Sequence, residues 1–171
     1  MAIRQIRIEG DPILRKKSRE VSDIDDRIRE IAKDMAETMY ENNGLGLAAV
    51  QVGLLKRIVV VDFREGEGIM TLINPEIVER SEEENIDLEG CLSVPNRSEY
   101  VKRPKRVVVE YTDLDGNRKS YEATDYNAHC ICHELDHLDG VLYVDDFLKL
   151  SQEEALEFNK EQEEKYETEN E

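Results

Sequence analysis

Cysteine is scarce in this sequence: its 171 residues include three, Cys91, Cys130 and Cys132. So small and odd a number does not suit the disulfide framework of a small secreted domain. The sequence also lacks the apolar segment of a signal peptide and any apolar run long enough to span a bilayer. We therefore expect a cytoplasmic protein without membrane contacts, in which cysteines serve metal or redox chemistry.

Basic residues are also few. There are 23 Lys and Arg against 40 Asp and Glu, which gives a formal net charge of −17. Because a nucleic-acid surface needs a basic stripe, this balance argues against a large nucleic-acid footprint. The short basic clusters at 15–17 and 102–103 are expected to be solvated. The length and the hydrophobic fraction of 39% suit one compact unit, so we expect residues 1–171 to form a single domain.

The pattern of apolar residues predicts three helices and several strands. Helical spacing runs from about 24 to 42 and from 124 or 125 to 138, while a third, acidic helix begins at Ser151 with a capping-box pattern. Leu156 and Phe158 are expected to dock this last helix, and its end is expected to fray. The segments read as strands are 57–63, 70–74, 77–80, 106–112 and 119–123. The glycine-rich stretch 44–51 lacks the spacing of a phosphate loop, and indicates backbone that closely approaches another group.

Residues 133–137 read His-Glu-Leu-Asp-His. Two histidines four residues apart lie about 40° apart on one helix face, so His133 and His137 can bind one metal ion. Glu134 beside them can act as general base and then as general acid. His129 extends the same stripe, but roughly 12 Å along the axis separates it from His137, too far for a shared ion. Asp136 is assigned to structure, with an arginine as its expected partner.

The third ligand has to come from another segment, and Cys91 is the best candidate. It follows Gly90 in what reads as a short loop between strand-like segments. A thiolate with two imidazoles leaves a position for water, which points to metal-dependent hydrolysis. Three alternatives stay open: an inert buried thiol at Cys91, a zinc endopeptidase of the H-E-x-x-H type, and a binding module with a structural metal. The metzincin pattern would need a histidine at 143, where this chain has Tyr143.

Three blocks of the sequence resemble the peptide deformylase family. They are Gly-Leu-Gly-Leu-Ala-Ala-Val-Gln at 44–51, Glu-Gly-Cys-Leu-Ser at 89–93, and the histidine segment 133–137 followed by Leu-Asp-Gly. The resemblance covers roughly residues 6–146 and implies a single catalytic domain that removes the N-formyl group from the initiator methionine of nascent polypeptides, releasing formate. It also implies an α+β fold, with antiparallel or mixed sheets around a central metal-binding helix, plus an N-terminal and a C-terminal helix.

The resemblance gives a role to each matching position. It makes Cys91, His133 and His137 the ligands of one divalent ion, expected to be Fe2+ with Zn2+, Ni2+ or Co2+ as possible substitutes. It makes Glu134 the acid/base. The other residues with an implied role are Gln51 and the Leu92 backbone N–H as donors to the developing oxyanion, Leu45, Gly46 and Gly90 as contacts of the substrate backbone, and His129 and Cys130 beside the pocket for the methionine side chain.

The chain departs from the family pattern at two positions and in its tail. Cys132 stands where many members carry glutamine, and His129 stands at a position that is often apolar. The expected partners are N-formyl-methionyl nascent peptides, with transient proximity to the ribosome. Some members reach the ribosome through a basic C-terminal extension. Here residues 151–171 hold nine Glu and two Lys, which predicts no tail-driven RNA binding.

Overall fold

The computed structural model describes residues 2–169. Its elements in chain order are α1 (Asp26–Glu41), β1 (Gly46–Ala48), β2 (Ile58–Val61), β3 (Met70–Arg80), β4 (Glu84–Cys91), β5 (Val94–Pro104), β6 (Arg106–Thr112), β7 (Arg118–Thr124), α2 (Tyr126–Leu138) and α3 (Gln152–Glu169). One antiparallel sheet has the strand order β1-β2-β3-β6-β7, and β4 and β5 form a separate antiparallel hairpin. Helix α2 contacts strands of both sheets. This arrangement confirms the predicted α+β fold class.

Strand β2 is buried on both faces, as its continuous run of β-branched residues predicts. Side chains alternate along a strand, so Val59 and Val61 face the cluster that contains Ile131 of α2. Ile58 and Val60 face the opposite cluster, which includes the methionines of α1. The sheet is therefore covered by α1 on one face and by α2 on the other. Within residues 2–169, each helix is too short or too polar to cross a membrane.

The hairpin β4–β5 is the part of the fold that the sequence reading missed. Segments 70–74 and 77–80 proved to be one strand, β3, whose pairing with β6 is interrupted by register shifts. Strand β4 carries few apolar residues, and its exposed Leu88 hides the alternation that marks a half-buried strand. Cys91 therefore ends a strand and begins a tight turn; its expected position in a loop between strands is wrong.

The predicted helix boundaries hold, although the residue before α2 is unusual. Helix α2 begins after Asp125, which has a positive φ of 55°; within the described residues its side chain makes no capping hydrogen bond. The capping box of α3 is present. The Glu154 N–H donates to Ser151 Oγ at 3.1 Å, and the Ser151 N–H donates to Glu154 Oε1 at 3.3 Å. The end of the tail, 170–171, where fraying was expected, lies outside the described residues.

Helix α3 docks through a different set of side chains from the one expected. Leu156 is 61% exposed, so its predicted docking role is wrong, while Phe158 is half-buried with Lys102 above its ring. Asn159 makes the closest connection. Its amide accepts from the Ile86 N–H at 2.7 Å and donates to the Ile86 carbonyl oxygen at 2.9 Å. The helix therefore covers the outer edge of β4 with amide side chains.

Candidate active site

The structure brings together the three residues that the sequence suggests as metal ligands. His133 and His137 lie one turn apart on α2, with ring centroids 5.0 Å apart and planes at 72°. The tight turn after β4 carries Cys91 towards them, and its Sγ lies 3.4 Å from Nε2 of His137. One potential ligand atom from each residue lies within 4.8 Å of the other two. The sulfur is therefore close enough for all three to share one ion.

These donors fit a divalent transition metal. A thiolate with two imidazoles suits zinc and iron alike. Burial opposes a charge on His133, but hydrogen bonds with Cys91 and Glu89 outweigh it and raise the pKa of His133 to about 10, so a metal ion that binds there has to displace a proton from the ring. Burial lowers the pKa of His137, which favours the neutral ring that a metal needs. Among residues 2–169, the buried atoms without a hydrogen-bond partner include His137 Nδ1 and Glu134 Oε2.

Glu89, to which the sequence motifs assign no role, links this group to the rest of the protein. Its carboxylate is buried and accepts hydrogen bonds from Nδ1 of His133 at 2.9 Å and from Nδ1 of His129 at 2.7 Å. Burial would raise its pKa, but the bonds from His129, His133 and Arg103 outweigh it and hold the pKa of Glu89 well below its usual range. One signal could have revealed it: Glu89 lies two residues before Cys91, and so on the same side of a strand.

Arg103 also departs from the sequence-based expectation. It was expected to be solvated together with Lys102, but its side chain is 12% exposed, so that expectation is wrong. Its guanidinium donates twice to Glu89, at 2.9 and 3.0 Å, and once to Asp136 at 2.6 Å. It is therefore the arginine partner expected for Asp136, and it neutralises a carboxylate that would otherwise be buried alone.

A tyrosine covers one side of the ligand group. The ring of Tyr143 stacks on His133, with centroids 5.6 Å apart and planes at 29°, and its hydroxyl donates to the Arg97 carbonyl oxygen at 2.6 Å. This is the position at which a metzincin would carry a histidine. The structure adds that the tyrosine packs against a ligand candidate and ties it to β5.

Glu134 lies against the backbone of β1. A Cβ built on Gly46 would be 2.9 Å from Cγ of Glu134, so this is the close approach that the glycine-rich segment predicted. The glutamate is buried, and burial raises the pKa of Glu134 to about 7. A carboxyl group in this range can accept and return a proton near neutral pH.

Gln51 is held in a fixed orientation beside Cys91. It lies on a short 3₁₀ helix (Ala49–Val52) and is buried. Its Oε1 accepts from the Ala48 N–H at 2.9 Å, which leaves the amide nitrogen to face the site. That nitrogen donates to Ser93 Oγ at 3.1 Å and lies 3.6 Å from Cys91 Sγ. The fold thus delivers an amide donor to the ligand group.

A cavity of about 620 Å³ opens onto these side chains. All the residues suggested for the site line it apart from His137, which is buried behind the wall with its Nε2 towards Cys91. The suggested residues that line it are Leu45, Gly46, Gln51, Gly90, Cys91, Leu92, His129, Cys130, His133 and Glu134. The sequence motifs, separated by about 40 residues each, therefore converge on one concave surface.

Comparison with known proteins agrees with this geometry. The family model described as polypeptide deformylase matches residues 3–153. The peptide deformylase of Finegoldia magna is 66% identical over 94% of this chain and 99% of that protein, and the one of Acetivibrio thermocellus is 53% identical over 94% and 93%. The crystal structure of peptide deformylase from Thermotoga maritima has a TM-score of 0.83 and 40% identity, covering 86% of this chain and 99% of that one.

These matches do not favour the endopeptidase or the binding module. They extend over nearly the whole length of both this chain and its relatives, and the group formed by Cys91, His133 and His137 is capable of holding the metal on which such enzymes depend. The chain belongs to the peptide deformylase family and is a hydrolase that removes the formyl group from nascent polypeptides.

Proposed function

We propose that Cys91, His133 and His137 bind the catalytic ion of this deformylase and that Glu134 is its acid/base. The observation that carries the proposal is the grouping of the three ligand atoms within 4.8 Å of one another, at a cavity that Glu134 also lines. Three ligands from the protein leave a position open for the reaction, whereas a structural site would have a fourth.

The ion itself is chosen by the family resemblance, because sulfur with two imidazoles suits iron and zinc alike. On that basis Fe2+ is the natural ion, and Zn2+, Ni2+ or Co2+ can replace it. When bound, such an ion supplies Lewis-acid chemistry, lowering the pKa of a water molecule and polarising the formyl carbonyl.

The protein side chains handle the proton and the negative charge. Glu134 takes the proton of the attacking water on its carboxylate and delivers it to the α-amino nitrogen as the C–N bond breaks, which releases formate and a free amine. Nε2 of Gln51 and the backbone N–H of Leu92 donate to the oxygen that becomes negative. The fixed amide of Gln51 supports this role, since its orientation is set before substrate arrives.

The substrate is an extended N-formyl-methionyl peptide. Leu45 and Gly46 on one wall of the cavity and Gly90 on the other offer backbone groups to an added strand. The methionine side chain enters the pocket beside His129 and Cys130. The partners of such a site are nascent chains. The enzyme therefore works close to the ribosome, in the cytoplasm. The acidic helix α3 offers no basic surface to RNA within the part of the chain that the structure describes.

We also infer that residues 1–171 work as a single catalytic domain. Helix α2, which carries two of the proposed ligands, contacts strands of both sheets. The ligand group would therefore not survive separation of the two sheets, because Cys91 belongs to the hairpin and the histidines belong to the helix.

The test is anaerobic purification with metal analysis, coupled to formate release from a formyl-methionyl peptide. Glu134→Ala should keep one ion per chain and lose turnover by about 100-fold or more. Cys91→Ala should lose the ion. Glu157→Gln, on the exposed face of α3, is the matched control and should retain both. A fully active Cys91→Ala enzyme, or cleavage of internal peptide bonds without formate release, would contradict the proposal.

A further inference from the structure

We infer that His129 is a positioning residue for the metal site, because it fixes the Glu89 carboxylate that orients His133. The inference rests on the proposed role of His133 as a metal ligand. The family resemblance does not give this role to position 129; it places His129 beside the substrate pocket.

The first observation is that both ring nitrogens of His129 are used inside the protein. The side chain is fully buried. Nδ1 lies 2.7 Å from Oε2 of Glu89, and Nε2 lies 3.1 Å from the carbonyl oxygen of Asn85. An ionised carboxylate accepts, so Nδ1 donates to Glu89, while Nε2 lies against the Asn85 carbonyl oxygen. The ring can still form part of the cavity wall, but its polar atoms are committed to β4.

The second observation is the symmetry of the bonds to Glu89. Oε1 accepts from Nδ1 of His133 at 2.9 Å and from Arg103 at 3.0 Å. Oε2 accepts from Nδ1 of His129 at 2.7 Å and from Arg103 at 2.9 Å. The two histidines therefore hold opposite oxygens of one carboxylate. Without His129, Oε2 is held by Arg103 alone, so the acceptor for Nδ1 of His133 is fixed less firmly.

The orientation of His133 matters because its two nitrogens have different tasks. A hydrogen bond from Nδ1 to Glu89 leaves the Nε2 lone pair for the ion and sets the direction in which it points. Groups that orient a metal ligand in this way typically change metal affinity by about 10- to 100-fold when they are removed. His129 acts one step further out, through Glu89.

The third observation is that His129 joins the two elements that carry the ligands. It lies on α2 with His133 and His137, and it bonds to Glu89 and Asn85 of β4, the strand that ends in Cys91. The distance between the thiolate and the imidazoles depends on how these two elements pack. A bond between them close to the site therefore limits that distance.

The experiment compares cobalt-loaded wild-type enzyme with His129→Leu and His129→Gln. Release of Co2+ to an excess of chelator is followed through the thiolate-to-cobalt absorption. His129→Leu should release the ion about tenfold faster or more and should shift the absorption. His129→Gln can still donate to Glu89 from its single amide nitrogen and should be intermediate. Asn127→Ala, on the same helix but bonded to Glu65, is the control and should match the wild type.

The outcomes separate this inference from the proposal on which it rests. If wild-type enzyme shows no thiolate-to-cobalt absorption, both fail. If wild-type enzyme shows it and His129→Leu has the same spectrum and release rate, with a change in KM alone, His129 is just a pocket wall and the inference is overturned. Should His129→Leu not fold, His129→Met decides, because a thioether fills space without donating to Glu89; a wild-type release rate would overturn the inference.

Discussion

The backbone of Gly46 lies directly against the side chain of Glu134. A Cβ at Gly46 would lie 2.9 Å from Cγ of Glu134, closer than real Cβ contacts come, and 3.0 Å from its Oε1, which is also tight. Strand β1 therefore forms a wall that sets the position of the proposed acid/base. The absence of a side chain at Gly46 is a condition for that position.

We predict that Gly46→Ala lowers kcat while the metal stays bound. The added methyl group has to push the Glu134 carboxylate aside, and a displacement of about 1 Å at a catalytic group can cost roughly 100-fold in rate. The measurement is kcat for formate release together with metal content. Gly68→Ala is the control for kcat: its φ of +76° puts strain into an exposed loop, but none of the described residues lies within 4 Å of its Cβ position. A Gly46→Ala enzyme with wild-type kcat would contradict the prediction, because the Glu134 carboxylate could then move aside without loss of activity.

The pairing of Arg103 with Glu89 leads to a prediction about stability. Replacing one partner of a buried ion pair leaves the other charge buried without compensation, which typically costs about 3–5 kcal/mol. Arg103→Met should therefore lower the free energy of unfolding by that amount, measured by urea denaturation. Arg106, which pairs with Glu79 and Glu122 at the surface, is the control; Arg106→Met should cost about 1 kcal/mol or less. If Arg103→Met and Arg106→Met lower the free energy of unfolding equally, burial of the Arg103–Glu89 pair does not account for its effect on stability.

The histidine pair was predictable because it depends on local geometry alone. Four residues on a helix bring His133 and His137 to one face, whatever the rest of the fold does. The glycine at 46 was interpretable for a similar reason, since the lack of a side chain already indicates a close approach. The position of Cys91 was less predictable from local geometry. Its place in the ligand group depends on a tight turn between two paired strands, where the sequence pattern indicates a loop.

The contacts that support the ligands could not be predicted, because they depend on strand pairing. Arg103 and Glu89 are 14 residues apart, and they meet across the hairpin β4–β5. Without the hairpin, an arginine next to Lys102 looks solvated. The contact of Asn159 is even harder to predict from the sequence. Its contact with Ile86 spans 73 residues, and on a helix so rich in glutamate an asparagine has every appearance of facing solvent.

Asn159 gives a prediction about local opening of the fold. Its amide satisfies both backbone groups of Ile86, so Asn159→Ala leaves a part-buried N–H and C=O without their partner. We expect a loss of about 1–2 kcal/mol in the free energy that keeps this edge closed. Hydrogen exchange at the Ile86 amide should become about tenfold faster. Leu156→Ala, an exposed change on the same helix, should leave the exchange rate as it is.

Gly140 provides a test of how the N-terminal segment is held against the end of α2. It has a φ of +76°, and a Cβ there would lie 2.5 Å from the carbonyl oxygen of Arg15 and 2.7 Å from its carbonyl carbon. These are backbone atoms, which cannot turn away as the end of a side chain can. An alanine at 140 would carry both the strain of the left-handed conformation and the displacement of the segment around Arg15.

Gly116 isolates the first of these two costs. It has a similar φ of +85°, but among the described residues none comes within 4 Å of its Cβ position. Gly116→Ala should therefore lower the free energy of unfolding by about 1 kcal/mol, the strain alone. Gly140→Ala should lower it by about 3 kcal/mol, because the backbone clash is added. Urea denaturation of the two variants measures the difference. If both lose the same amount, the segment around Arg15 gives way without cost and does not hold the end of α2.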